Sequence, residues 1–387
     1  MNISEVLKDK RKCSGCTACY NSCKLLAITM QEDMEGFQYP AINLDKCVNC
    51  GQCVEACPIY EDTMPRHSTV QKAYAAINKD PEIRKRSSSG GAFYALASAI
   101  LKQEGVVYGA AFVDHYRVEH IRVDHFEELN RLQGSKYVQS LMKSTMQDVR
   151  KDLLAGKQVL FSGTPCEVGG LISFLGKPYP NLTTVDFICH GVPSPKVWNQ
   201  YIDEKDRSMG VIESVFFRDE TYSWEKFALN IQSVLGRSSY CKDTDHDPYL
   251  KGFLLNLYLR PSCGLCHFKD KYRLSDFTIA DFWGIKDVLP DLYDGHGISV
   301  VLLHTQHARA LFDEIDGLTL TPVDYDEAIL HNFSMQNTSL PHPKRHEFFC
   351  DLDQSTKSIN TLLHKYTRER LLKRIFKLMI KIYRKIR

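Results

Sequence analysis

No stretch of this sequence approaches the roughly 18 consecutive apolar residues that a membrane span needs, and its opening, MNISEVLKDKRKC, holds no apolar segment of a secretory signal. Charge of one sign is scarce too: 49 Lys and Arg stand against 47 Asp and Glu. No G-x-G-x-x-G follows a strand-like run, which excludes a Rossmann dinucleotide site. The C-x3-C-x2-C spacing of a radical-SAM cluster is missing, as is any basic, aromatic-studded stretch that would read nucleic acid. These absences leave a chain expected in the reducing cytoplasm.

Cysteine, by contrast, is abundant, with fourteen in 387 residues. In a reducing compartment such thiols read as metal ligands rather than bridges. Cys13, Cys16, Cys19 and Cys23 follow the spacing C-x2-C-x2-C-x3-C, and Cys47, Cys50, Cys53 and Cys57 repeat it 34 residues later. This is the bacterial ferredoxin pattern, in which the fourth thiolate of each run ligates the other cluster. The crossing assigns Cys13, Cys16, Cys19 and Cys57 to one [4Fe–4S] cube, and Cys47, Cys50, Cys53 and Cys23 to a second. Zinc ribbons would not need the third and fourth thiols of each run. Pro58 follows Cys57 as the pattern expects, whereas Lys24 follows Cys23.

At 43% hydrophobic and 25% charged residues, the chain has an ordinary globular composition and room for two or three domains. Residues 1–64 are expected to form a small α+β ferredoxin-like domain, with a hairpin in MEGFQYPAI (34–42), and DTMPRHST (62–69) a polar connector. From 70 to about 345, strand-like runs alternate with helical ones, which predicts a larger α/β domain with a mostly parallel sheet. Strands are expected at 72–77, 105–113, 158–163, 183–189, 213–218, 226–234, 275–282 and 298–304, with a β-rich excursion over 211–245. Helices are expected at 91–103, 144–156, 166–176, 194–205 and 247–259.

Six cysteines lie beyond the ferredoxin pattern. Cys166 and Cys189 stand where strands end, and Cys263 and Cys266 form a C-x2-C. Ligands of open α/β sheets gather beyond the carboxyl ends of strands, so these four could close a third metal site, for a cluster or for zinc. As isolated residues, Cys166 and Cys189 would be ordinary buried thiols. Ser87, Ser88, Ser89, Gly90 and Gly91 precede a helix, a setting that suits an anion and equally a plain N-cap. Lys136 in GSKYVQS reads either as a phosphate or flavin contact or as a solvated surface lysine.

Taken in order, SSSGGAFYALA, GSKYVQS, GTPCEVGGL, DFICHGVPSPKVW, LRPSCGLCHFKDKYRLSDFTIADFWGI and GISVVLL resemble the beta-subunit family of coenzyme F420 hydrogenases and dehydrogenases. The resemblance covers about residues 72–310. It implies a flavin-binding domain holding FAD, a further [4Fe–4S] cluster on Cys166, Cys189, Cys263 and Cys266, and hydride exchange with coenzyme F420 or another two-electron carrier. It also implies Ser88, Ser89, Gly90, Gly91 and Lys136 as FAD contacts, joined by Gly163, Thr164 and Pro165. No acid/base pair is required. The family's better-known members work beside a hydrogenase or formate dehydrogenase, whereas this chain carries its own ferredoxin pattern, which leaves the hydride partner open. The competing reading is a non-catalytic electron-transfer adaptor between protein partners.

The last segment, 365–387, holds ten Lys or Arg against a single Glu, with apolar residues at helical spacing. A basic amphipathic helix over 360–387 reads as a contact with the inner face of a membrane or with a partner protein. The plain alternative is a terminal helix packed on the body.

Overall fold

The computed structural model describes residues 1–60, 66–67, 72–236 and 238–368. Most of the expected connector 62–69 and the tail from residue 369 onward lie outside the described residues. Among the described residues thirteen strands run in chain order: β1 Ile28–Glu32, β2 Gln38–Ile42, β3 Lys72–Asn78, β4 Val106–Phe112, β5 Val118–Val123, β6 Val159–Ser162, β7 Leu182–Phe187, β8 Ile212–Asp219, β9 Ala228–Ser233, β10 Ser239–Asp243, β11 Phe277–Asp281, β12 Ser299–Leu303 and β13 Leu318–Val323.

The large domain is α/β, built on an eight-stranded sheet of order β13-β3-β12-β11-β7-β6-β4-β5. Parallel pairing runs through the four central strands β11, β7, β6 and β4. Antiparallel neighbours extend both flanks, so five of the eight strands point one way. Side chains alternate across the sheet, and its central strands are buried on both faces. Val107, Leu160, Val185 and Val301 pack under the helices Ala92–Lys102 and Gln306–Asp313. Val106, Tyr108, Val159 and Phe161 face the helices Thr145–Leu154 and Pro165–Leu175 on the other side.

The excursion over 211–245 is a separate antiparallel sheet, β10-β9-β8. Its apolar face packs against the helix Pro195–Met209 and the helices Arg345–Gln354 and Ile359–Thr367. That last helix buries Ile359, Leu362, Leu363 and Tyr366, so the start of the expected terminal helix is packed on the body. The expected helix 247–259 is shorter, Pro248–Leu254. Leu257 N–H returns to Gly252 O at 2.9 Å and Asn256 takes φ 60°, which ends the helical ladder. Among the described residues no helix is long and apolar enough to cross a membrane.

In the ferredoxin-like region β1 and β2 form the hairpin. Its first strand begins at Ile28, before the expected segment, because residues 33–37 form the turn: the Asp33 carboxylate accepts from Glu35 and Phe37 N–H at 3.0 and 3.1 Å. The hairpin is fastened to the large domain by Arg345, which meets the Glu35 carboxylate with two parallel bonds of 2.7 and 2.5 Å, and by Ser194 Oγ, which donates to Glu35 O at 2.5 Å.

Candidate functional site

Because β12 is antiparallel to β11 and β3 to β12, one edge of the large sheet collects the ends of β3, β4, β6, β7 and β11 with the starts of β5 and β12. Ser88, Ser89, Gly90 and Gly91 follow β3, Gly163, Thr164, Pro165 and Cys166 follow β6 and Cys189 follows β7 at this edge; the Lys136 loop meets Ser88 there, Cys263 and Cys266 join Cys166 and Cys189, and the ferredoxin-like region packs against the helix after β6.

Cys13, Cys16, Cys19 and Cys57 line one cavity of about 320 Å³, with Ser14, Gly15 and Thr17 among its walls. Cys57, the last thiol of the second run, thus lies beside the first three thiols of the first run. Burial pushes the Cys16 thiol up to about 12, and neighbouring Cys57 and Cys13 add to it. Cys19 and Cys57 are raised for the same reason. In the second set, burial raises Cys53, helped by Cys47 and Cys50. Cys23, which accepts Ala27 N–H at 3.3 Å, packs into the same small core as Cys53. Cys50 is exposed, so this set faces outward while the first faces the large domain.

Cys166, Cys189, Cys263 and Cys266, far apart in sequence, line a second cavity of about 570 Å³. Local structure explains each position. Cys166 is the second residue of the helix Pro165–Leu175, whose start is fixed by Pro165 and a reciprocal cap between Thr164 and Glu167. Cys189 follows β7. Cys263 and Cys266 belong to a 3-10 turn, Pro261–Leu265, and its exit, and Cys263 Sγ accepts Val192 N–H at 3.4 Å. Burial raises the Cys263 thiol to about 11, and Cys166 and Cys189 further. Lys269 stands against these thiols, its ammonium donating to His190 O at 3.2 Å and its charge acting on Cys189, Cys266 and Cys263.

Both donor sets fit a polynuclear iron centre. In each, four thiols surround a cavity. Desolvation favours the protonated thiols, which a bound cationic centre would reverse. The Ser14 hydroxyl is buried without a hydrogen-bond partner, and its residue lines both cavities.

The two cavities are neighbours. Ser14 and Ile59 form walls of each. The helix that carries Cys166 brings Gly170 one turn later against the first set, where a Cβ would stand 2.8 Å from Cys16 Sγ. Arg260, three residues before Cys263 and only 1% exposed, reaches from the rim of the second cavity to the first. Its Nε donates to Cys13 O at 2.8 Å, Nη2 to Gln38 O at 2.9 Å and Nη1 to Gln139 Oε1 at 2.9 Å. Gln139 in turn donates to Ser14 O at 3.1 Å. Gly15, at φ 75°, leaves the guanidinium room, since a Cβ there would stand 2.7 Å from Nη1. Neither Arg260 nor Gly170 carries a sequence signal of its own; Arg260 is marked only by preceding the C-x2-C.

The proposed flavin residues divide into two groups. Ser88 Oγ accepts Ser135 N–H at 2.7 Å, so the 87–91 and 133–140 loops meet. Lys136 is partly covered, its ammonium donates to Arg131 O and Gln133 O at 3.0 and 2.9 Å, and desolvation pushes it down to about 7. Ser89 Oγ donates to Ile298 O at 2.7 Å. Gly90 packs on strand backbone, where a Cβ would stand 2.1 Å from Ala76 O. The helix Ala92–Lys102 starts at Gly91 without a side-chain cap, leaving amides that suit an anion. Gly163, Thr164 and Pro165 follow β6, three strand spacings from β12, or about 14 Å. They sit beside the second cavity, where Thr164 Oγ1 lies 3.1 Å from Cys166 Sγ.

One residue missed from the sequence joins the first group. Arg218 of β8 is buried, donates to Ser88 O at 3.4 Å and to Asp281 Oδ1 at 3.0 Å, and stacks over Phe227. Its Nε has no partner, which fits a bound anion or carbonyl beside the serine loop. Burial raises Asp281, opposed by Arg218, and Trp224 stacks on Trp283 at 5.1 Å nearby.

The family described as "Coenzyme F420 hydrogenase/dehydrogenase, beta subunit" matches in two parts, its N-terminal part over residues 73–147 and its C-terminal part over residues 156–324. Residues 12–59 match a 4Fe-4S dicluster domain. A ferredoxin-type protein, NapF, of Haemophilus influenzae is 39% identical over 13% of this chain and 28% of its own length. An uncharacterised protein of Methanocaldococcus jannaschii is 23% identical over 45% of this chain and 56% of its own length. The chain thus spans little more than half of the second relative and less of the first. A chain of the F420-reducing [NiFe] hydrogenase complex from Methanosarcina barkeri aligns over 72% of this chain and 97% of its own length, with 16% identity and a TM-score of 0.47.

Proposed function

This chain belongs to the coenzyme F420 hydrogenase/dehydrogenase beta-subunit family, with a 4Fe-4S dicluster domain in front, and on that premise we propose that it is an iron–sulfur flavoprotein oxidoreductase. In this reading it passes electrons between [4Fe–4S] centres and a flavin, FAD, and exchanges hydride with coenzyme F420 or another two-electron carrier. The observation that carries the reading is the gathering of Cys166, Cys189, Cys263 and Cys266 around one cavity that shares walls with the Cys13, Cys16, Cys19 and Cys57 cavity.

Cys13, Cys16, Cys19 and Cys57 would hold the inner ferredoxin centre, Cys47, Cys50, Cys53 and Cys23 the outer one, and Cys166, Cys189, Cys263 and Cys266 a third. A flavin, when bound, supplies the conversion between hydride and single-electron chemistry, which the clusters lack. The chain's own residues supply placement and field. Exposed Cys50 puts the outer set within reach of a protein partner. Burial of the inner and third sets excludes water, and Lys269 offsets thiolate charge. The uncapped start of the helix at Gly91, with Arg218 beside Ser88, would receive the anionic part of the flavin.

A second reading, a non-catalytic adaptor that wires two protein partners, draws on one observation: the Ser88, Ser89 and Lys136 side chains are already engaged within the protein. Anaerobic mixing with reduced coenzyme F420 separates the two. Bleaching of the flavin and cluster absorbance at a rate that depends on F420 concentration supports the oxidoreductase. Clusters that respond only to one-electron donors, in a chain that releases no flavin on denaturation, support the adaptor.

A further inference from the structure

Arg260 places a guanidinium, a permanently charged group, at 1% exposure, and among the described residues no carboxylate pairs with it. All its hydrogen bonds to oxygen go to neutral acceptors: Cys13 O, Gln38 O and Gln139 Oε1. Two rings of the ferredoxin-like region enclose it, Tyr39 at 4.4 Å and Phe37 at 5.3 Å. Taking a charge out of water costs several kcal/mol unless a counter-charge compensates it, and carbonyl dipoles with ring faces offset only part of that. Among the described residues, the one ionisable atom within its hydrogen-bonding reach is Cys13 Sγ, 3.7 Å from Nη2.

We infer that Arg260 is the counter-charge of the inner cluster: its guanidinium raises that cluster's midpoint potential. This rests on the reading that Cys13, Cys16, Cys19 and Cys57 hold a [4Fe–4S] centre. Adding an electron makes the thiolate-bound centre more negative, and a fixed positive charge at low local dielectric stabilises that form more than the oxidised one. The outer set, exposed at Cys50 and outside the contacts of Arg260, does not gain this stabilisation. Reduction would therefore favour the inner centre, and an electron arriving from outside is drawn toward the large domain.

The test is an anaerobic redox titration of the full chain, followed by electron paramagnetic resonance, with Arg260→Gln and Arg260→Lys beside the unaltered protein. Arg260→Gln keeps hydrogen-bonding capacity and loses charge; Arg260→Lys keeps charge and loses the fork. The expected result is one ferredoxin midpoint lower in Arg260→Gln by tenfold or more in the reduced-to-oxidised ratio, about 59 mV for a one-electron couple. The other midpoint stays put, and Arg260→Lys lies closer to the unaltered protein. Loss of about four iron in Arg260→Gln but not in Arg260→Lys carries the same meaning. Unchanged midpoints in both variants, or equal losses in both, would overturn the inference. The unaltered protein tests the underlying reading separately: a single ferredoxin-type signal in place of two in electron paramagnetic resonance removes the inner-cluster assignment itself.

Discussion

Gly170 lies against Cys16: a Cβ at residue 170 would come within 2.8 Å of the cysteine's own Cβ and of its Sγ. One helix thus presents Cys166 to one thiol-lined cavity and, a turn later, a bare backbone to another. The two sites are held in contact by the pitch of that helix.

Gly170→Ala consequently presses on the first site without touching the second. The neighbour is a short thiol side chain on a buried backbone, not the free end of a flexible one, so relief requires the ferredoxin-like region to shift. Overpacking of this kind costs about 1–3 kcal/mol. The expected outcome is a lower melting temperature and slower cluster assembly, with cluster content measured as acid-labile sulfide. Unchanged stability and full sulfide would show that the contact is looser than the structure has it.

Cys263→Ala removes one wall of the larger cavity. It is expected to lower iron by about four per chain while leaving the ferredoxin signals intact. Cys241→Ala, a thiol outside all three sets, serves as the control and keeps full iron. Equal iron in both variants would detach Cys263 from metal binding.

Ser88→Ala leaves the Ser135 N–H without its 2.7 Å partner, at a cost of about 1–3 kcal/mol. Because this bond, with Gln133 Nε2 to Ser87 Oγ at 2.9 Å, joins the two loops, flavin retained through purification should fall several-fold at constant iron. Flavin and iron falling in proportion would instead indicate general unfolding.

His304 gives a pH dependence. Burial, with Arg273 and His67 nearby, holds its imidazole down to about 3 from an ordinary 6.5. The unfolded chain therefore takes up the proton first, so His304 contributes no pH dependence above about 6.5 and costs stability progressively as pH falls toward 3. The stability difference between the unaltered protein and His304→Gln, read by urea denaturation, should move against the unaltered protein as pH drops from 7 to 5. A difference that stays constant over that span contradicts the assignment.

The cysteine sets were legible because ligand spacing is local: the turn that places Cys13, Cys16 and Cys19 is encoded within seven residues, and the repeat supplies the partner for each run. The central strands were legible from their apolar runs. The two strands missed in the large sheet, β5 and β13, are its edges, where one side of the ladder is unpaired and patterning is weakest; β13 even carries Pro322, which an edge tolerates. Arg260 could not be found, because what defines it is contact with Cys13, 247 residues away. Arg218 was hidden likewise, sitting in the β8 excursion and meeting Ser88 only after folding. Of the residues proposed for flavin, Gly163, Thr164 and Pro165 stand nearer the third thiol set than the serine loop, which sequence order could not reveal. The basic tail after residue 368 lies outside the described residues.

The most direct test of the account is quantitation of iron, acid-labile sulfide and flavin on one anaerobically purified sample. The account predicts about twelve iron and twelve sulfide per chain with one FAD. About eight iron without flavin would contradict it, leaving the ferredoxin-like region as the only redox element and the adaptor reading in its place.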